Sequence, residues 1–293
     1  MSVDSRGTPQ HSVMHVLDWL GERGSEPAVP PKVLVVAAHP DDEVIGLGSR
    51  LSRLRRVTVL HVTDGAPRER RWWGAPHLAS REEYARVRQE ELTAALALAG
   101  VGEEHRRSLD IPDQEASSDL AGLARRMADV LAQLAPDVVL THAYEGGHPD
   151  HDATTFAVHS ARHIMEQRGA RIPLLMEFTS YHARQDGAVG DGTATGDFIP
   201  VPGAHEVEVA LTAPKRELKR RMLAAFASQR ETLTAFGVEV ERFRVAPAYD
   251  FTAPPHSGAL HYENFDWGFT GDEWRTSAGK ALAALGIGAE SAC

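Results

Sequence analysis

The apolar run Val33-Leu34-Val35-Val36-Ala37-Ala38 stops abruptly against His39-Pro40-Asp41-Asp42-Glu43, which packs one imidazole and three carboxylates into five residues. A non-alternating run rich in β-branched residues, with Pro30-Pro31 before it and charge after it, predicts a strand over 32–38 buried on both faces of a parallel sheet. Open α/β sheets gather ligands beyond the carboxyl ends of their strands, so the polar cluster falls on a predicted active-site edge.

The rest of the chain repeats the strand and helix alternation. Helical periodicity over about 44–56 sets Leu47, Leu51 and Leu54 on one face, and Val57–Val62 follows as a second strand, completing a right-handed βαβ unit. Residues 66–79 read as a loop whose arginines, Trp72, Trp73 and His77 suit either a binding-site wall or a surface loop with two half-buried tryptophans. Ser80, with Glu83 closing a capping box, starts a helix that runs to Leu98. Strands over 105–111, 136–142 and 172–179 alternate with helices over 120–134 and about 153–167. Residues 185–198, rich in Gly, Asp and Thr, are predicted to be a mobile surface loop. An edge strand over 206–211, a basic amphipathic helix over 213–228, an irregular aromatic-rich stretch over 243–274 and a last helix over about 273–285 complete the reading. The expected fold is α/β, a Rossmann-like, mostly parallel sheet flanked by helices. Residues 1–31 form an N-terminal extension to a single domain over 32–293, with 200–293 as an elaboration that covers the site.

At 293 residues, with 42% hydrophobic and 25% charged, the chain is long enough for one large α/β domain. A formal net charge of -10 argues against nucleic acid as partner, because phosphate binding needs clustered cations. The basic clusters at 53–56 and 215–221 fall on predicted helix faces. Cys293 is the one cysteine, so neither an intrachain disulfide nor a thiolate metal site can form. No apolar run approaches the ~20 residues of a membrane span. These features predict a cytoplasmic protein with a small-molecule substrate, and they leave a homo-oligomer open.

Two tetrapeptides carry the chemistry: His39-Pro40-Asp41-Asp42 and His148-Pro149-Asp150-His151, each between a predicted strand and a helix. Proline fixes φ and suits a first helical turn, which holds the flanking polar side chains in place. His39, Asp42, His148 and His151 are therefore candidate metal ligands, and imidazole with carboxylate favours zinc or ferrous iron. A dinucleotide site is the competing reading of a strand followed by a glycine-containing helix start. It is opposed by the missing Gly-x-Gly-x-x-Gly and by carboxylates where a pyrophosphate would need bare amides.

The chain resembles the PIG-L, or LmbE-like, zinc-dependent de-N-acetylases of N-acetylglucosamine compounds. Ala38-His39-Pro40-Asp41-Asp42-Glu43 and His148-Pro149-Asp150-His151 match that family's two signatures, and Thr63-Asp64-Gly65, Arg88-x-x-Glu91 and Ile111-Pro112-Asp113 follow in its usual order, over about residues 32–180. The resemblance implies Zn2+, or Fe2+ in its place, on His39, Asp42 and His151, with Asp41 as general base. It implies His148, oriented by Asp150, as the group that stabilises the oxyanion and protonates the leaving amine. Arg88 and Asp113 match positions that contact sugar or phosphate. Some relatives carry a tyrosine where Gly146 stands, which leaves Tyr144 as the nearest candidate for that role. An amidase acting on a thiol conjugate of glucosaminyl-inositol and a non-catalytic sugar-binding module are the alternatives. His142, His182 and His256 are further candidates for substrate contact.

Overall fold

A computed structural model of the chain describes residues 12–185, 192–265 and 267–288. Residues 1–11 of the N-terminal extension, most of the glycine-rich part of the predicted 185–198 loop, and Cys293 lie outside these.

Helix α1 (Val13–Leu20) precedes an alternating series: β1 (Val33–Ala37), α2 (Asp42–Leu51), β2 (Val57–Pro67), α3 (Arg81–Leu98), β3 (Arg106–Asp113), α4 (Leu120–Leu134), β4 (Val138–Thr141), α5 (Pro149–Gln167) and β5 (Leu174–Phe178). These five strands pair in parallel in the order β3-β2-β1-β4-β5. The chain runs outward from β1 to β3 and then returns to β4, so the order reverses between β1 and β4. That reversal opens a crevice at the carboxyl ends of these two strands, the strands that deliver the two signatures.

Helices cover both faces of the sheet. Val33 and Val35 of β1 pack into one core with α2, α3 and α6 (Ala213–Ala224), while Leu34 and Val36 face a second core built on α4, α5 and α8 (Gly271–Leu285). Burial on both sides explains why the strand reads as an unbroken apolar run.

The antiparallel edge was only half legible. The predicted strand at 206–211 is β8 (Glu206–Ala210), but between it and β5 lies β9 (Val240–Val245), in part of a stretch that the sequence reads as irregular. Its inward residues include charges, which hides the strand period. Glu241 accepts from the backbone N–H of Ser49 at 2.8 Å, and Arg244 Nε donates to Glu177 at 2.7 Å.

Other boundaries moved for local reasons. Helix α2 closes at Leu51, because residues 52–56 turn the chain back into β2. The basic helix stops at Ala224, where Phe226 is buried and the backbone N–H of Ser228 is tied to Glu91 at 2.7 Å, ahead of the single turn α7 (Arg230–Leu233). The region predicted as a mobile loop contains β7 (Thr193–Thr195), paired antiparallel with β6 (Tyr181–Ala183). Two β-branched threonines between Gly192 and Gly196, both at φ +77°, make a short strand with turns at either end.

Strands β2 and β3 also run on, to Pro67 and Asp113, through register shifts near Thr63. This carries Asp113 to the sheet's carboxyl edge. Gly65 is required in that passage: its φ is +67°, and a Cβ there would lie 2.9 Å from Arg88 Nε.

Candidate active site

The two signatures meet at the crevice. His39 leaves β1, Asp42 opens α2 and His151 lies in the first turn of α5, and their ligand atoms all fall within 4.8 Å of one another. His39 Nδ1 faces His151 Nε2 at 3.3 Å, with Asp42 oxygens 3.2 Å from each ring. Two imidazole nitrogens and a buried carboxylate converging on one point form a donor set that suits a divalent cation such as zinc or ferrous iron. Burial opposes ionisation of Asp42, but His151 and His142 beside it hold its carboxyl well below the usual range.

The far side of His39 fixes its ring. Its Nε2 lies 3.0 Å from Asp113 Oδ1 and 3.3 Å from Asp150 Oδ2. Carboxylates on that nitrogen keep a proton there and leave Nδ1 free for a cation, the outer-shell arrangement of metal-bound histidines. Asp113 thus sits against His39 while also lining the cavity.

Asp41 has the unusual backbone of the site. It is not glycine, yet its φ is +131°. Such a conformation costs on the order of 1–3 kcal/mol and persists only where neighbours enforce it. Glu43 accepts from the Asp41 N–H at 3.1 Å and is itself held 2.8 Å from His61 Nε2. Arg88, buried on α3, donates to Asp41 Oδ2 at 2.9 Å and to the carbonyl of Pro40. Burial, opposed by Arg88 and assisted by the charge of Asp42, raises the Asp41 carboxyl to about 7.

His148 caps α5, its Nδ1 accepting from the backbone N–H of Asp150 at 3.1 Å. The ring hydrogen of the neutral imidazole therefore sits on Nε2. Burial, with the charge of His39, pushes this ring down to about 3. Asp150 orients His148 through its amide, whereas its carboxylate accepts from the backbone N–H groups of Gln114 at 2.6 Å and Ala116 at 3.0 Å. That carboxylate ties the turn after β3 to the start of α5.

A cavity of about 360 Å³ opens over these groups, lined by His39, Asp41, Asp42, Arg88, Asp113 and His148 among others. Tyr144 is not brought to it: its hydroxyl donates to the carbonyl of Ala253 at 3.0 Å, and its ring stacks on Trp274 in the core. Tyr181 of β6 stands over the site instead, its ring 5.1 Å from that of His151. No motif marks it, because a strand pairing places it. His142 lies behind His39, Asp42 and His151, stacked on His151 at 4.1 Å and accepting from the Ala38 N–H at 3.0 Å. Among the described residues neither His182 nor His256 lines the cavity, whereas His261 does. The sequence reading also passed over the Glu43–His61 pair; a lone histidine in the apolar strand β2 was its only signal.

Residues 34–162 match the family model described as PIG-L: GlcNAc-PI de-N-acetylase. They include both His-Pro-Asp signatures. The chain is 32% identical over 155 residues to the 1D-myo-inositol 2-acetamido-2-deoxy-alpha-D-glucopyranoside deacetylase 2 of Catenulispora acidiphila, covering 45% of this chain and 50% of that protein. It spans about half the length of these curated relatives. The fold is shared with the N,N'-diacetylchitobiose deacetylase from Pyrococcus horikoshii, at a TM-score of 0.50 and 19% identity, over 83% of this chain and 95% of that one. It is also shared with a deacetylase in the biosynthesis pathway of teicoplanin, at a TM-score of 0.52 and 19% identity, over 72% and 96%. No helix among the described residues is long and apolar enough to cross a membrane.

Proposed function

We propose that this chain is a metal-dependent hydrolase of the PIG-L, or LmbE-like, family that removes the acetyl group from an N-acetylated amino sugar of the N-acetylglucosamine type. The observation that carries this reading is the convergence of His39, Asp42 and His151 beneath a cavity into which Asp41 and His148 also face. The deacetylases of 2-acetamido sugars among its relatives support the substrate class, and none of the relatives named above is an amidase of thiol conjugates.

His39, Asp42 and His151 would hold zinc, or ferrous iron in its place. When bound, the ion supplies Lewis-acid activation of water and of the acetamide carbonyl. Asp41, steadied by Arg88 and by the Glu43–His61 pair, takes a proton from the attacking water. His148 donates a hydrogen bond from Nε2–H to the oxygen of the tetrahedral centre, and Asp41 passes the proton it took from water to the departing nitrogen, so acetate and the amine leave. Asp113 and Asp150 hold the His39 ring in place, which moves Asp113 from the sugar-contact role implied by resemblance to a positioning role. Arg88 likewise acts through Asp41. A cytoplasmic setting belongs to this proposal, supported by a chain with a single cysteine.

The test is release of free amine from a panel of N-acetylglucosamine compounds, with and without chelator, beside elemental analysis of the purified protein. About one metal per chain with chelator-sensitive release is expected. Metal-loaded protein that hydrolyses no acetamide would overturn the reading. His39→Ala is expected to lose the metal itself.

A further inference from the structure

The mechanism leaves one wall of the cavity without a task. Trp267 lies with its ring 4.6 Å from that of His148 and, on the other side, 4.6 Å from that of Phe265, stacked at 13°. Trp72, from the loop after β2, meets Trp267 edge-on at 6.1 Å. All three rings line the cavity. They form a strip that begins at buried His148 and ends at Phe265, which is 38% exposed. The strip is anchored: the backbone N–H of His261 donates to the carbonyl of Gly146 at 2.9 Å, and its Nδ1 lies 3.1 Å from the carbonyl of Gly147. A platform held in this way loses little freedom when a ligand stacks on it.

We propose that Trp267, Phe265 and Trp72 form an aromatic subsite that holds an uncharged, ring-bearing aglycone of the amino-sugar substrate. The inference rests on the deacetylase reading, since it takes the acetamide to lie at His148. A group attached to the sugar then extends along the strip toward solvent. Stacking suits a planar or C–H-rich ring face. Trp267 adds a buried Nε1–H that has no acceptor among the described residues, a donor for an ether or hydroxyl oxygen. Charge selects against an anion. Asp41, Asp42 and Asp113 line the same cavity, and Arg88, the one Arg or Lys among its described lining residues, is committed to Asp41. In the loop after β2, Arg68 pairs with Glu115, and Arg71, whose guanidinium lies over the Trp72 ring at 4.9 Å, pairs with Glu69 at 2.7 Å. A carboxylated or phosphorylated aglycone would meet repulsion from the cavity's carboxylates.

The experiment compares the methyl, phenyl and carboxymethyl glycosides of N-acetylglucosamine as substrates of the full, zinc-loaded chain. The phenyl glycoside is expected to show a KM about fivefold below that of the methyl glycoside, the size of one stacking contact, with the carboxymethyl compound poorest. The phenyl-to-methyl ratio is expected to fall toward one in Trp267→Leu and in Phe265→Ala; the second alters a partly exposed side chain and spares the fold if the first does not. Fluorescence titration with the phenyl and methyl glucosaminides, which carry no acetyl group, reads the same preference without turnover. Equal KM and equal binding for phenyl and methyl compounds, or a carboxymethyl compound as good as the phenyl one, overturns the subsite and leaves deacetylation standing. Preferential phenyl binding with no acetate released from any compound sinks the deacetylase reading and supports the subsite.

Discussion

The two His-Pro-Asp signatures share a sequence pattern and differ in backbone. In the second, His148 caps α5 in extended geometry and Pro149 takes the first helical position, the arrangement that proline favours. In the first, Pro40 lies outside the helix, α2 begins at Asp42, and Asp41 is forced to φ +131°. The third residue of each motif therefore does different work. Asp150 is wholly buried and spends its carboxylate on the amides of Gln114 and Ala116, whereas Asp41 is turned into the cavity and held there by Arg88. One motif closes the fold and the other stores strain where a carboxylate faces the cavity.

The sharpest way to break this comparison is to neutralise both aspartates. Asp41→Asn is expected to keep its metal by elemental analysis but lose about 10²–10⁴-fold in turnover, as for a removed general base. Wild-type rates in metal-replete Asp41→Asn would remove the base assignment. Asp150→Ala is expected to act on stability first, lowering it by about 1–3 kcal/mol in denaturant unfolding because two backbone donors, one buried and one partly buried, lose their acceptor. An unchanged midpoint would show that the carboxylate has no structural task.

A smaller effect isolates the strain. Asp41→Gly is expected to be more stable than Asp41→Ala by about 1–2 kcal/mol, since glycine tolerates the observed φ. Equal melting curves for the two inactive variants would argue that the conformation is relaxed.

The smallest effect lies outside both signatures and serves as their control. Burial raises the carboxyls of Glu177 and Glu145 to about 7, against the opposing pull of Arg244 that both face. A folded value above the unfolded 4.5 means stability that is complete below 4.5 and is lost as pH rises through about 7. Thermal unfolding between pH 5 and 8.5 is expected to show this decline, and Glu145→Gln to flatten part of it. A decline of full size in that variant would assign the effect elsewhere.

Much of this molecule was legible before folding. The parallel strands stood out because burial on both faces imposes continuous apolar runs, and Ser80 with Glu83 marked α3 because a helix start needs acceptors for its free amides. Strand β9 was hidden by Glu241 and Arg244, whose charges are paid for by partners far away in sequence. Tyr144 was chosen by nearness in sequence to Gly146, but the chain turns its ring into the core and brings Tyr181 over His151 from another strand.

The sequence by itself determined the α/β class, the two signatures and the residue types able to hold a cation, because these depend on local pattern and on side-chain chemistry. Only the tertiary structure decided which carboxylate does what. Asp41, Asp113 and Asp150 are alike as residues; their roles come from the groups that surround them, Arg88 in one case, His39 in another and two backbone amides in the third. Those neighbours come from elements separated by dozens of residues, and only the strand-order reversal between β1 and β4 brings them to one point.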